Sequence, residues 1–408
     1  MSDTLSIDGL DVPVERPGSV SELGEIVRRC AADGRAVYPV GGRTMLDVGR
    51  PPTRAGVAVD LRGFDVVIDY PVRDLTITVQ AGMTVAALRE RLRAEGQQLP
   101  IDVPDPARAT IGGAIATNAS GPRRYGYGTF RDFVIGISAV NDEGTEVKAG
   151  GRVVKNVAGY DFMKLLTGSF GTLGVIIQVT LKLKPLPEAR ALVTAGCTDL
   201  AVALDALHGS KTRPVVIDAT RTANAKRRAG EEPLPPWTLL VAYEDNAAAV
   251  AWQTEQVRDE LTAAGAVPVR IFDGDTAPPG LSLADLPIDP GAAVILQATL
   301  RPSGVATFCE KAAAAQPDGW LHAHGGSGVV RLGLPHGVTE AATRELVAKL
   351  SDAAASAGGN LTVRRAPTAW KANLSVWGRP SADIELQRAV KRALDPKNVF
   401  NPGRFVVG

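Results

Sequence analysis

Thr110-Ile111-Gly112-Gly113-Ala114-Ile115-Ala116-Thr117-Asn118-Ala119-Ser120-Gly121 is a run of small and hydroxyl-bearing residues with no bulky side chain to fill a core. Such a run lets another surface approach the main chain, and a flat ring system would lie well against it. Two more glycine-rich stretches share this half of the chain. Gly41-Gly42-Arg43-Thr44 follows a short apolar run, Ala36 to Val40, that reads as a strand. Successive backbone N–H groups there can form an anion nest, and glycines let the backbone approach a phosphate. Gly168-Ser169-Phe170-Gly171-Thr172-Leu173-Gly174 leads into a long strand from Val175 to Lys184. None of the three has the G-x-G-x-x-G spacing, and the third precedes a strand where a dinucleotide fingerprint must follow one. No G-K-[ST] occurs, so a Walker A loop is absent. One glycine cluster alone reads as an ordinary turn; three in this order are harder to dismiss.

Outward from these stretches the pattern is mixed. Ser19-Val20-Ser21-Glu22 is a capping box, followed by Leu23, Ile26, Val27 and Cys30 on one helical face and a stop at Gly34. Leu75 to Gln80 alternates like a half-buried strand, Thr84 caps a helix carrying Val85, Leu88 and Leu92, and Phe133–Val140 with Thr145–Lys148 reads as a hairpin. Composition shifts after Pro185-Leu186-Pro187-Glu188, which marks a domain boundary. Beyond it, strands at Val215–Ala219, Leu239–Tyr243, Val294–Leu300 and Val329–Leu334 alternate with Ala-rich helices at Ala247–Ala264, Ser303–Ala315 and Thr339–Ala355. That is a layered α/β or α+β domain, with 231–236 as an exposed loop.

The bulk numbers exclude several classes. A net charge of +1 over 408 residues, with no basic block, gives no support to nucleic-acid binding. Mean hydropathy is +0.03 and no apolar run approaches the ~20 residues that span a bilayer, so membrane association is expected only through partners. Met1-Ser2-Asp3-Thr4 lacks the opening of a signal peptide. Cys30, Cys197 and Cys309 are far apart, with no C-x-x-C, so iron–sulfur, structural zinc and disulfides lack ligands. The expected compartment is a reducing cytoplasm.

Four motifs, taken in order, carry a resemblance. Pro39 to Thr44 looks like the pyrophosphate loop of the FAD-binding PCMH-type family, which has the vanillyl-alcohol-oxidase fold. Pro104-Asp105-Pro106 to Gly121, Tyr125-Gly126 and Arg131 to Gly136 look like its second motif. Lys155 to Asp161 followed by Gly168 to Gly174 is similar to its third, and Leu394 to Phe405 to the C-terminal segment of its D-lactate/glycolate branch. Gly121-Pro122-Arg123-Arg124 and Lys155 to Asp161 most resemble the smaller of the two flavin-binding subunits found in bacterial glycolate oxidases.

The resemblance implies an α+β fold. A two-subdomain FAD-binding domain would occupy residues 1–187 and an α+β cap 188–375, with 376–408 returning to the FAD domain. It implies that Val40, Gly41, Gly42, Arg43, Thr44 and Met45 hold the pyrophosphate. Pro104, Asp105, Thr110, Gly112, Gly113, Ala116, Thr117, Asn118 and Gly121 would line the other side. Gly171, Leu173, Gly174 and Val175 would meet the adenosine half, and Asn401 would come from the C-terminal segment. Relatives that attach FAD covalently often place a histidine in the first glycine loop; Arg43 stands there, so non-covalent FAD is expected. Arg43 either adds charge to the phosphate site or is a solvated loop arginine.

Oxidising a 2-hydroxy acid needs a base for the hydroxyl proton and a cation for the carboxylate. The active branch uses H-x-G-D-G-N-x-H and G-E-H-G segments, which gather metal ligands and a base. His324-Gly325-Gly326-Ser327-Gly328-Val329-Val330-Arg331 keeps only the shell of the first, and Gly358 to Arg365 only that of the second, with Arg364 and Arg365 replacing acid and histidine. No metal is therefore expected. Arg331, Arg364, Arg365 and His324 remain as weak catalytic candidates: the arginines either clamp a carboxylate or form a solvated or interfacial face. His322 and His324 would share a face of a strand and could bind metal, but no third ligand is evident; the other reading is two structural histidines.

Three functions follow. One is an electron-transfer or assembly subunit of a glycolate oxidase complex, beside a larger flavin subunit and an iron–sulfur subunit. It would be cytoplasmic or peripheral at the inner membrane through those partners. The others are a self-sufficient FAD-dependent 2-hydroxy-acid dehydrogenase and a non-catalytic scaffold.

Overall fold

The computed structural model describes residues 3–151, 161–221, 235–273 and 292–406. The Lys155 motif, apart from Asp161, and most of the 231–236 loop lie outside these residues.

Strands β1 (Thr4–Ile7) and β2 (Leu10–Glu15) form a hairpin that turns on Asp8 and Gly9, both at positive φ. Helix α1 (Val20–Ala32) starts where the Ser19 hydroxyl accepts the Glu22 amide, and it buries Leu23, Ile26, Val27 and Cys30. Next come β3 (Ala36–Val40), β4 (Gly56–Asp60), β5 (Val67–Asp69) and β6 (Thr76–Gln80). The Thr84 hydroxyl caps α2 (Val85–Arg93), and a two-residue strand, β7 (Gln97–Gln98), follows. The Thr110 hydroxyl accepts the Gly113 amide and opens α3 (Ile111–Ala116), so part of the small-residue run is a short helix. Short helices α4 (Arg124–Tyr127) and α5 (Phe130–Phe133) lead to the hairpin β8 (Val134–Val140) and β9 (Glu146–Gly150). Helix α6 (Phe162–Leu166), β10 (Val175–Lys182) and β11 (Lys184–Pro185) complete this half.

The second half runs β12 (Ala189–Cys197), α7 (Leu200–His208), β13 (Val216–Arg221), β14 (Trp237–Asp245), α8 (Ala247–Ala263) and β15 (Val269–Asp273). It continues with β16 (Val294–Thr299), α9 (Val305–Ala315), β17 (Trp320–His324), β18 (Val329–Leu334), α10 (Glu340–Ser356), β19 (Asn360–Arg365) and α11 (Ile384–Leu394).

The chain divides into two compact units. The first comprises residues 1–120, 128–186 and 380–408, and the second 121–127 and 187–379. The Gly121–Tyr127 strap therefore belongs to the second unit, although both its flanks belong to the first.

In the first unit, a four-stranded sheet of order β1-β2-β4-β3 pairs β4 in parallel with β2 and β3, and a five-stranded antiparallel sheet has the order β5-β6-β10-β8-β9. Leu23, Val27, Val37, Val57, Val59, Val140, Val175, Ile177 and Phe400 share one apolar cluster. The second unit is an antiparallel eight-stranded sheet, β15-β12-β14-β13-β17-β18-β16-β19. Alternate residues of its strands, among them Ile217, Leu321, Ala323, Val330, Leu332, Leu296 and Val363, bury one face with Leu204, Val257, Phe308 and Leu350 of α7, α8, α9 and α10. The period of two sends the intervening residues to the opposite face.

Candidate functional site

The glycine-rich stretches meet in the first unit around a cleft with about 1060 Å³ of empty space, part of it open to solvent. The loop after β3 forms one wall, α3 another, and Phe170-Gly171 with Asn401 a third. The walls approach so closely that glycine is required. A Cβ on Gly42 would sit 1.7 Å from the Arg108 carbonyl oxygen, and one on Gly41 2.1 Å from the Thr110 hydroxyl. Gly112 is held against Ala81, whose Cβ an added methyl would meet at 2.7 Å.

Arg43 adopts φ 60° in this loop, and its guanidinium donates to Asp60 at 3.1 Å, so it is not a solvated side chain. Asp60 also accepts from Arg62 at 2.6 Å. Burial pushes the Asp60 carboxyl up, but its bonds to Arg62 and Arg43 outweigh that and hold it below the usual range. The Arg43 Nε–H is buried with no partner.

The C-terminal segment fastens the walls from behind. Arg404 donates to the carbonyls of Leu46 (2.5 Å), Val48 (2.8 Å) and Arg50 (2.9 Å), and to Asp8 at 3.2 Å. Asn401, at φ 45°, donates to the Phe170 carbonyl at 2.7 Å, and Phe405 stacks on Phe170. Lys391 is buried and donates to the Thr172 carbonyl at 2.8 Å, the Phe400 carbonyl at 3.1 Å and Asp395 at 2.5 Å.

Of the expected cofactor residues, Val40, Gly41, Gly42, Arg43, Thr44, Met45, Thr110, Gly112, Gly113, Ala116, Thr117, Gly171, Gly174 and Asn401 line the cleft. Pro104, Asp105, Asn118, Leu173 and Val175 are not in its lining, and Gly121 lies in the second unit. Sequence reading missed Tyr38, Leu61, Phe170 and Arg404. Phe170 stood within a glycine-rich stretch and Arg404 within the C-terminal motif, whereas Tyr38 and Leu61 carried no signal.

The second unit carries a separate polar row on the sheet face opposite its helices. Strand register sets Thr220 beside His322, His322 beside Arg331, Arg331 beside Gln297 and Gln297 beside Thr362. Two residue pairs along, on the same face, Asp218 is paired with His324. Asp218 Oδ2 lies 2.9 Å from both His322 Nε2 and His324 Nδ1, and all three residues are buried. Burial pushes the Asp218 carboxyl up, and the two imidazoles more than offset this, holding it at about 2. Burial lowers the His324 pKa, against the pull of Asp218. Arg331 donates to Gln297 at 3.3 Å; burial, then Arg364, pull its pKa down to about 10. The fold thus brings His324 and Arg331 onto one face and supplies the third residue, Asp218, that sequence reading did not find. Arg364 and Arg365 lie on β19, beyond β16.

Comparison with known proteins agrees with this architecture. Residues 13–150 match the FAD binding domain family, and residues 322–405 match the C-terminal domain of FAD linked oxidases. D-2-hydroxyglutarate dehydrogenase of Xanthomonas citri pv. viticola is 38% identical over 180 residues, covering 44% of this chain and 38% of that protein. Glycolate oxidase subunit GlcE of Escherichia coli is 36% identical over 168 residues, covering 41% of this chain and 47% of that protein. The chain thus spans less than half the length of these relatives. In structure it is similar to alkyldihydroxyacetonephosphate synthase, with a TM-score of 0.68 at 20% identity over 96% of this chain and 77% of that one. Residues 13–150 are therefore an FAD binding domain of the PCMH, or vanillyl-alcohol-oxidase, type. The second matched stretch is the C-terminal domain of the FAD linked oxidases, and FAD is the cofactor to which both domains point.

The residues present fit that cofactor. Backbone of the Gly41–Met45 loop and the unpartnered Arg43 Nε–H offer donors to a pyrophosphate, and the apolar walls suit flat rings.

Proposed function

We propose that this chain is the smaller flavin subunit of a glycolate-oxidase-type complex, an oxidoreductase acting on the CH–OH group of a 2-hydroxy acid. It holds one non-covalent FAD and works beside a larger flavin-binding subunit and an iron–sulfur subunit. The bound flavin supplies the electron acceptor. The chain's own residues bind it: the 41–45 loop takes its phosphates, α3 and Phe170 flank it, and Arg404 keeps the loop in place. No described helix is long and apolar enough to cross a membrane, which supports a cytoplasmic subunit, or one held at the inner membrane by its partners.

The observation that carries the subunit reading is the set of residues at the two segments where relatives of the active branch gather metal ligands and a base. Ser327, Val329 and Arg331 stand in the first, and Arg364 and Arg365 in the second. Missing acid–base help typically costs ~10²–10⁴-fold in rate. The role proposed is therefore electron transfer or assembly. One feature favours a self-sufficient dehydrogenase instead: His322 is cross-strand from Arg331, so an imidazole and a carboxylate clamp are neighbours.

Anaerobic stopped-flow reduction of the flavin by glycolate or D-lactate separates the two. Slow reduction of the chain alone, accelerated at least a hundredfold by the larger flavin subunit, is expected. Fast reduction of the chain by itself would replace the first reading with the second.

A further inference from the structure

We propose that the outer face of α11 pairs with α11 of a second copy of this chain, antiparallel and around a two-fold axis. The proposal rests on this helix alone and is independent of how the flavin is used.

Helix α11 carries an apolar stripe that the fold leaves uncovered. At about 3.6 residues per turn, Leu386, Ala389 and Ala393 fall on one face, with Val390 at its edge. The face turned inward is a different one. Lys391 is the one buried residue of the helix, and its ammonium donates to the Thr172 and Phe400 carbonyls and to Asp395. Leu386 is 65% exposed, and Ala389 and Ala393 are exposed as well. A single exposed leucine needs no explanation, but apolar residues recurring at i, i+3 and i+7 make the seam of a helix pair.

The helix itself supplies what fits that seam. In an antiparallel pair around a two-fold axis, each flank of one helix meets the same flank of its copy. Glu385 and Arg392 stand on one flank of the stripe, near its two ends. Glu385 of each copy can then face Arg392 of the other, in a register centred between Arg388 and Ala389. The same register sets Leu386 opposite Lys391 of the second copy, over the gap between its Ala389 and Ala393. A large side chain thus enters a hole walled by two small ones. The ionic match and the apolar match call independently for one register. A membrane surface asks for neither, and it favours several bulky apolar residues where this stripe has one outward leucine between alanines. Arg388 pairs with Glu385 at 2.5 Å within the helix and lies farther from the seam, so that bond can persist in the dimer.

Such a patch closes with two copies and does not propagate. A pair of 11-residue helices stays below the ~1,200 Å² of a standard interface, so the dissociation constant should be on the order of 10–100 μM. The exposed ion pairs set register more than strength.

The test is sedimentation velocity of the full flavin-loaded chain over roughly 1–500 μM. A monomer–dimer equilibrium is expected in the parent. Leu386→Glu puts a charge into the alanine hole and should weaken the dimer at least tenfold. Its flavin content should not change, because Leu386 does not line the cleft. Leu386→Ala removes the knob without adding charge and should weaken the dimer too. Glu385→Arg and Arg392→Glu each set like charges face to face and should weaken it, whereas the double variant reverses the pair and should restore it. A parent that stays monomeric throughout, a dimer that survives both Leu386 variants, or a double variant no better than the single ones would overturn the proposal. So would a monomeric parent that binds vesicles of anionic phospholipid through Leu386, which would assign this face to a membrane. None of these outcomes bears on the flavin cleft.

Discussion

Arg404 and Val48 are 356 positions apart in sequence, yet the guanidinium of the first donates to the carbonyl of the second at 2.8 Å. The same side chain holds the Leu46 and Arg50 carbonyls and pairs with Asp8, so a buried cation fixes the stretch that closes one wall of the glycine-lined cleft. Arg404→Ala takes this buried partner from Asp8. Breaking such a pair typically costs about 3–5 kcal/mol. We expect a lower melting temperature and at least a tenfold weaker hold on FAD, measured by flavin-to-protein absorbance after dialysis. Arg404→Lys keeps the charge but loses the planar fork, so it should fall between the two. Full flavin occupancy in Arg404→Ala would show that the latch is dispensable.

Gly42→Val should lose most bound FAD. The reason is not only approach to a phosphate, as the sequence suggests: any Cβ would meet the Arg108 carbonyl oxygen at 1.7 Å and drive two cleft walls apart. Arg43→Ala removes one cation and its bond to Asp60 but leaves the backbone nest, so its loss of flavin should be smaller. Equal occupancy in Gly42→Val and the parent would remove this loop from the cofactor site.

Acid should loosen the cleft through Asp60. Its folded pKa lies below the ordinary value of 3.8, so its contribution is fully present above that value. That contribution is lost as pH falls through the lowered folded value, when the protonated group releases Arg43 and Arg62. Flavin retention followed from pH 6 downward should therefore drop below about pH 4. Asp60→Asn should hold FAD less well at neutral pH and show a flatter acid limb. An unchanged acid limb in that variant would assign the loss to other carboxylates.

Glu244 anchors the Gly121–Tyr127 strap. Its carboxylate accepts the Tyr127 hydroxyl at 2.8 Å and Arg123 at 3.3 Å, and its side chain is 5% exposed. Burial, then Glu244 itself, raise the Tyr127 pKa, so the phenol stays a donor. Glu244→Ala leaves Arg123 and Tyr127 without this acceptor, at an expected cost of about 3 kcal/mol in urea unfolding. Protease cleavage near Arg123 and Arg124 should accelerate in parallel. A variant as stable as the parent, with the same cleavage rate, would show that backbone pairing such as Gly126 to Val215 suffices for the strap.

What could be read from sequence depended on range. The Ser19–Glu22 cap, the strand before Gly41 and the helix after Thr84 are decided by neighbours a few residues away, and each forms where local chemistry puts it. The glycine stretches were legible as unusual, because few other contexts tolerate so many small residues. Their common cleft depends on contacts such as Gly42 with Arg108 and Gly171 with Asn401, which no local pattern encodes. The same limit hid Asp218. It lies 104 residues from His322, on a strand whose alternation reads as ordinary, and only the β13–β17 pairing brings them together. Arg404 was visible within a motif, but its partners at 46, 48 and 50 were not.

The chain passes between its two units four times, at 120/121, 127/128, 186/187 and 379/380. Neither unit can then be excised as one continuous piece. A fragment 187–379 would lack the strap that Glu244 and Val215 receive, and a fragment ending at 186 would lack Lys391, Asn401 and Arg404. Synthesis from the N-terminus imposes an order on this. The loop and α3 walls emerge first, the whole 187–379 sheet is made next, and only then does Arg404 leave the ribosome. FAD should therefore be captured late, after translation of the second unit, and a nascent chain stalled before residue 391 should release the cofactor readily.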